Sequence, residues 1–410
     1  MQLFLDSYVR VFMKVLILKS CRLKLRLMQL LVYISIIFFS YSCKKGPLTE
    51  ISEVKQLGDQ NVVIPVNPDL VTIEVSFTAP ASNPSALITP LKYNKTSVIN
   101  FEFDDNPSAA YTLYQYLNNQ TFSSGTGKNI KFTAGVAVNS RGNYNNGDLW
   151  ENYQGNLSKQ QAIEIISGGW TLENHGLYHS VLNSGDNFGY GKPIGENIRE
   201  NTKNVFEKTG YKMRTLVVPS NDKGYLLPAF DQGIIATTST NSFEGFQSFP
   251  LYGDYVDISE IPGSKIHLRR DFNDKWDAMG INSIKTKLTT LFNKSNTKER
   301  ILYRLGTHIA DLEAFKALSE HIKTTSNDNT WITTMQEMVE YFQLKNSVIK
   351  SESLVNGKLI ISLDISKVDK ETLFRDITLM INSSTSILDI KVNNVKQSSF
   401  NSNGLINLSF

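Results

Sequence analysis

Between about residue 95 and residue 345, short apolar runs alternate with stretches whose apolar residues recur every three to four positions. The short runs, "VINFEF", "KFTAGVAV", "WTLENH", "TLVVPS", "GIIATTST", "KIHLRRDF", "ILYRLGTH" and "WITTM", read as strands. The stretches between them, such as "SKQQAIEIISGG", "IGENIRENTKNVFEKTG" and "TMQEMVEYFQLKN", read as amphipathic helices. Alternating strand and helix implies a parallel sheet with helical crossovers. About eight such units in roughly 250 residues predict a distorted (β/α) barrel over residues 95–346.

The pattern changes at both ends. From residue 347 to 410 strand-like runs follow one another without helices ("GKLIISLDI", "DITLMIN", "ILDIKVNN", "GLINLSF"), which predicts a small all-β, sandwich-like appendage. Its few aromatic residues, Phe374, Phe400 and Phe410, favour a packing role over a sugar-binding one. Residues 44–94 carry six prolines and many small polar residues, so they read as a tether interrupted by one strand-like piece, "VTIEVSF". No internal repeat is present.

Charge and cysteine usage set residues 1–43 apart. Six of the 42 Lys and Arg residues but one acid (Asp6) lie there, a local charge of +5, whereas the remaining chain carries −2. The basic excess therefore belongs to a leader and leaves no footprint for nucleic acid. A basic stretch, the apolar run Leu30 to Phe39 and the small residues Ser40 and Ser42 before Cys43 read as an export signal. Cys43 resembles the cysteine of a bacterial lipoprotein cleavage box. That would leave the mature chain as a membrane-anchored lipoprotein of a cell envelope, with translation beginning at Met1, Met13 or Met28. A plain signal peptide or an uncleaved anchor is the other reading. Cys21 and Cys43 are the two cysteines, so neither a disulfide nor thiolate chemistry is expected in the mature chain.

In such a barrel, reactive groups gather where strands end and the following loops begin. Asp104 and Asp105 close the first strand, His175 and His179 close the third, and His308 closes the seventh. The four-residue spacing of His175 and His179 allows both rings to reach one ion. Two imidazoles and a carboxylate form a ligand set that leaves a divalent metal with open positions for water.

With "FEFDDN", then "ENHGLYHS", then a late strand-end histidine, the chain resembles the polysaccharide deacetylase superfamily, also called the NodB-homology group or carbohydrate esterase family 4. Members read T-F-D-D-G and then G-N-H-(S/T)-x-x-H. The resemblance covers roughly residues 95 to 345 and implies a distorted (β/α) barrel. It implies a metal, zinc first and cobalt or nickel otherwise, held by Asp105, His175 and His179. It also implies Asp104 as general base and His308 as general acid, with metal-activated water attacking an acetyl group on a polysaccharide.

Two departures stand out. The family's third motif, R-x-P-(Y/F), has its counterpart in "VVPSND", with Val217 in the place of the arginine that orients the catalytic aspartate. Pro219 is kept, and Ser220 would supply the oxyanion-binding backbone N–H. Arg214, Arg269 or Arg270 could replace the missing cation. The acid that tunes the histidine would be Asp271 or Asp274. Other functions compatible with these residues are a catalytically weak glycan-binding lipoprotein of the same fold and a metal-dependent amidase acting on a non-sugar C–N bond.

Overall fold

The computed structural model describes residues 53–57, 60–64, 69–141, 155–179, 193–243, 248–249, 254–256, 261, 263–293, 300–397, 400–401 and 404–410. The leader and Cys43 lie outside them, and no helix among the described residues is long and apolar enough to cross a membrane. Residues up to Pro68 form a unit of their own, in which Glu53–Leu57 and Gln60–Ile64 pair as an antiparallel hairpin.

The expected barrel is present from residue 97 onward. Its strands are β1 (Ser97–Phe103), β2 (Gly135–Val138), β3 (Thr171–Asn174), β4 (Thr215–Val217), β5 (Ala236–Ser239), β6 (Ile266–Arg269), β7 (Arg300–Thr307) and β8 (Thr330–Ile332). All pair in parallel, each of β1 to β5 with the next in sequence. Asp271–Phe272 prolongs β6 and pairs with Leu305 and Gly306 of β7, which in turn pairs with β1 along its whole length. The ring therefore closes at the C-terminal end of β6, the end where barrel sites form. β8 lies beside the first half of β1.

The intervening helices are α1 (Ala109–Leu117), α2 (Lys159–Ser167), α3 (Ile194–Thr209), α4 (Leu226–Asp231), α5 (Gly280–Phe292), α6 (Leu312–Thr325) and α7 (Met335–Ser347). Their starts follow capping chemistry. Ser158 and Gln161 form a capping box on α2, Asp311 accepts from two N–H groups of α6, and Thr334 caps α7.

β1 shows how sequence sets the barrel's inside and outside. All seven of its residues are buried, as a strand covered on both faces requires. Phe101 and Phe103 pack outward against Trp276 and Phe315 of α6. Asn100 and Glu102 alternate with them and line the interior. That interior is not filled by branched aliphatics as in most such barrels. It carries Glu102, Glu173, Arg270 and Arg304, all buried.

The β domain differs from the expected C-terminal appendage. Leu70–Phe77, the strand-like piece of the supposed tether, pairs with Lys358–Asp364 on one side and Ile387–Val392 on the other. Ser85–Ile88 likewise pairs with Asp376–Asn382. Segments that precede and follow the barrel in sequence thus build one sandwich, a five-stranded sheet over a three-stranded one. The reason lies in the alternation of "LVTIEVSF": Val71, Ile73 and Val75 bury one face against Ile377, Leu379, Ile381 and Leu408. The sequence pattern marked this piece as strand-like but not its partners, which such a face obliges it to find.

Barrel and sandwich share polar joints. Lys92, buried between them, donates to Glu337 of α7 at 2.6 Å and to Asp376 at 2.7 Å. Glu340 of α7 accepts the backbone N–H groups of Leu373 and Phe374, both at 2.8 Å.

Candidate metal centre and its aspartate pair

After Phe103 the chain turns abruptly, because Asp105 (φ 65°) and Asn106 (φ 53°) both adopt left-handed backbone. Asp and Asn tolerate that region better than other non-glycine residues. The turn separates the two carboxylates: Asp104 is buried toward the barrel interior, and Asp105 is half-buried at its rim.

Asp105 meets the histidines there. Its Oδ1 lies 3.6 Å from His175 Nε2 and 3.8 Å from His179 Nε2, and one ligand atom of each residue lies within 4.8 Å of the others. The rings of His175 and His179 stand edge to face, 4.8 Å apart. His175 Nδ1–H donates to the carbonyl of Val217 at 2.8 Å, which orients the ring and turns Nε2 toward Asp105. That Nε2 is buried without a hydrogen-bond partner among the described residues. Burial, and then the neighbouring His175, pushes His179 down to about 4, so its ring is neutral at neutral pH. Two imidazoles and a carboxylate, with one imidazole nitrogen orphaned and facing inward, fit a divalent cation. Asn139, just past β2, donates to Asp105 Oδ1 at 3.0 Å and steadies it.

The loop that carries the two histidines is held from behind by asparagines. Asn174 accepts from Gly176 N–H at 2.8 Å and donates to Ile198 O on α3. Asn197 and Asn201, one turn apart on α3 and both buried, accept from Leu177 N–H and donate to Val138 O respectively. Gly176, at φ 78°, is required because a Cβ there would stand 2.8 Å from Tyr178 O.

Asp104 has a different partner. Arg270 grips it with two parallel bonds, Nη1 to Oδ1 at 2.7 Å and Nη2 to Oδ2 at 2.5 Å. Burial alone would raise this carboxyl, but the charge and hydrogen bonds of Arg270 outweigh it and hold Asp104 below the ordinary carboxylate range. The cation missing at Val217 is therefore supplied from the end of β6.

Its sequence alternatives lie elsewhere. Arg214 pairs with Glu340 and Asp369, and Arg269 Nε donates to Thr240 O. His308 sits at the end of β7 with Nε2 3.5 Å from Asp105 Oδ2 and Nδ1 2.5 Å from Asp274 Oδ1. Asp274 is thus the acid that orients it, whereas Asp271 accepts from the Tyr303 hydroxyl. Ser220 lies in a left-handed turn (φ 51°) three residues beyond Val217. His267 and His321 make structural bonds, the first to Thr237 and the second to Thr289.

Asn139, Glu102 and Glu173 escaped the sequence reading. Asn139 follows a strand end, the position that flagged the other site residues. Glu102 and Glu173 had no such flag, because acids inside strands usually face water. Neither oxygen of Glu173 has a hydrogen-bond partner among the described residues, and burial pushes it up to about 8. The folded chain therefore retains a proton that the unfolded chain releases above its ordinary 4.5. The stability due to this group is full below pH 4.5 and is lost as the pH rises toward 8. Glu173→Gln is expected to flatten that fall, which is at most about 1.4 kcal/mol per pH unit. Melting temperatures of both proteins from pH 5 to 8 check this.

No family model and no curated protein matches the chain. Among solved structures, a family 4 carbohydrate esterase from Streptomyces lividans in complex with acetate is similar at 10% identity and TM-score 0.34, over 59% of this chain and 93% of that one. A mutant of the peptidoglycan deacetylase PdaC from Bacillus subtilis is similar at 13% identity and TM-score 0.34, over 62% and 94%. BA3943, a CE4 family pseudoenzyme from Bacillus anthracis, is similar at 12% identity and TM-score 0.34, over 60% and 66%. At these scores the likeness carries no argument about chemistry, which rests on the side chains described above.

Proposed function

We propose that the protein is a metal-dependent hydrolase that removes N- or O-acetyl groups from a polysaccharide. The observation that carries this reading is the convergence of Asp105, His175 and His179, with His175 Nε2 buried and unpartnered, beside an aspartate clamped by a guanidinium. Those three residues would hold the cation, zinc first and cobalt or nickel otherwise. Bound there, it would lower the pKa of a water molecule and polarise the acyl carbonyl.

The chain's own residues supply the proton movements. Asp104 is ionised, and a carboxylate gripped by Arg270 keeps lone pairs with which to accept a proton from the attacking water. His308 donates Nδ1–H to Asp274, which orients the ring so that Nε2–H could protonate the departing amine or alcohol. The N–H of Ser220 would serve the developing oxyanion. Export and anchoring through a lipidated Cys43 would place this chemistry on a cell-envelope polymer.

Acetate release from chitin oligomers, peptidoglycan fragments and acetylated xylan, with and without chelator, tests the reading. Release from at least one of them, abolished by chelator and restored by zinc, is expected. Zinc-loaded protein that releases acetate from none would overturn it.

A further inference from the structure

We infer that Glu102 is a positioning residue for Asp104, acting through Arg270 across the barrel interior. The inference rests on the assignment of Asp104 as the base. Arg270 is shared: the Nη1 that binds Asp104 Oδ1 at 2.7 Å also lies 3.3 Å from Glu102 Oε2. Glu102 is fully buried two residues before Asp104 on β1, and its other oxygen pairs with Arg304 of β7. Arg304 is itself buried, with Nη1 2.7 Å from Met335 Sδ. The four groups Arg304, Glu102, Arg270 and Asp104 thus alternate in sign along one buried line. Without Glu102 the guanidinium would have one anionic partner and several torsions about which to swing away. With it, both sides are fixed.

Space for this arrangement comes from a glycine. A Cβ at Gly306 would stand 2.7 Å from Arg270 Nη1, so the guanidinium lies over a bare stretch of β7. The ring of Phe272 covers it at 5.0 Å. A guanidinium entering from β6 needs both devices, a counter-ion on its far side and a strand without a side chain beneath it. Glu102 touches no reacting atom, so its removal should act on turnover and leave substrate binding alone.

The test uses the full-length, zinc-loaded chain and the variants Glu102→Gln, Gly306→Ala, Asp104→Asn and Glu102→Gln/Asp104→Asn. With [15N]arginine labelling, the Arg270 guanidinium resonances, assigned through Arg270→Lys, are expected to shift and broaden in both Glu102→Gln and Gly306→Ala. On whichever glycan the wild type deacetylates, each of these two variants should lose roughly 10- to 100-fold in kcat with KM within about twofold. The effect of Glu102→Gln should vanish in the Asp104→Asn background. Arg270 resonances unmoved in both variants would overturn the inference, whether or not the protein turns over. So would wild-type kcat in Glu102→Gln while Asp104→Asn is inactive. Full activity in Asp104→Asn would instead sink the assignment of the base, and the resonances would still decide whether Glu102 holds Arg270.

Discussion

Replacing Asp104 by asparagine is expected to lower acetate release by about 10²- to 10⁴-fold, the usual contribution of a positioned proton-transfer group. Asparagine keeps the shape and one acceptor oxygen, so Arg270 retains one of its two bonds on that side. What is lost is the anionic oxygen able to take a proton. The proposed metal ligands Asp105, His175 and His179 are untouched, and Glu102 remains as a counter-ion to Arg270. The variant should therefore fold, bind metal and bind glycan without hydrolysing it. Initial rates measured beside metal content separate this outcome from loss of the site.

The second large effect is on stability. Arg304→Met should cost about 3–5 kcal/mol, because it leaves the wholly buried Glu102 short of its main cation. Arg270 cannot make up the loss, since its closer contacts are with Asp104. The charge loss is reversible in design: Glu102→Gln/Arg304→Met removes both members of the pair and should be more stable than Arg304→Met alone. Chemical denaturation of the three proteins at one pH measures this. Arg304→Met as stable as the wild type would show that Arg304, Glu102, Arg270 and Asp104 are not a closed charge network. The double variant should regain stability but not turnover, since Arg270 would still lack its second anchor.

The barrel was legible because its strands are short, apolar and separated by well-capped amphipathic helices. Asp105, His175, His179 and His308 were legible because they stand at strand ends. Two features were hidden for physical reasons. The strand Leu70–Phe77 sits among prolines and finds its partners some 285 to 320 residues away, a pairing that local pattern does not specify. The cation that holds Asp104 lies at the end of β6 rather than on the strand of Val217, and the choice among Arg214, Arg269 and Arg270 depends on which face of the backbone each one occupies. Arg270 points inward over Gly306, whereas Arg269 turns toward Thr240. Alternation along "KIHLRRDF" separates those two but does not say which is inside.

The most direct test is the metal content of purified wild type, Asp104→Asn and His175→Ala after dialysis against trace zinc. About one zinc per chain in the first two and far less in the third is the expected result. Wild-type protein without stoichiometric zinc, cobalt or nickel would contradict the metal centre and the mechanism built on it.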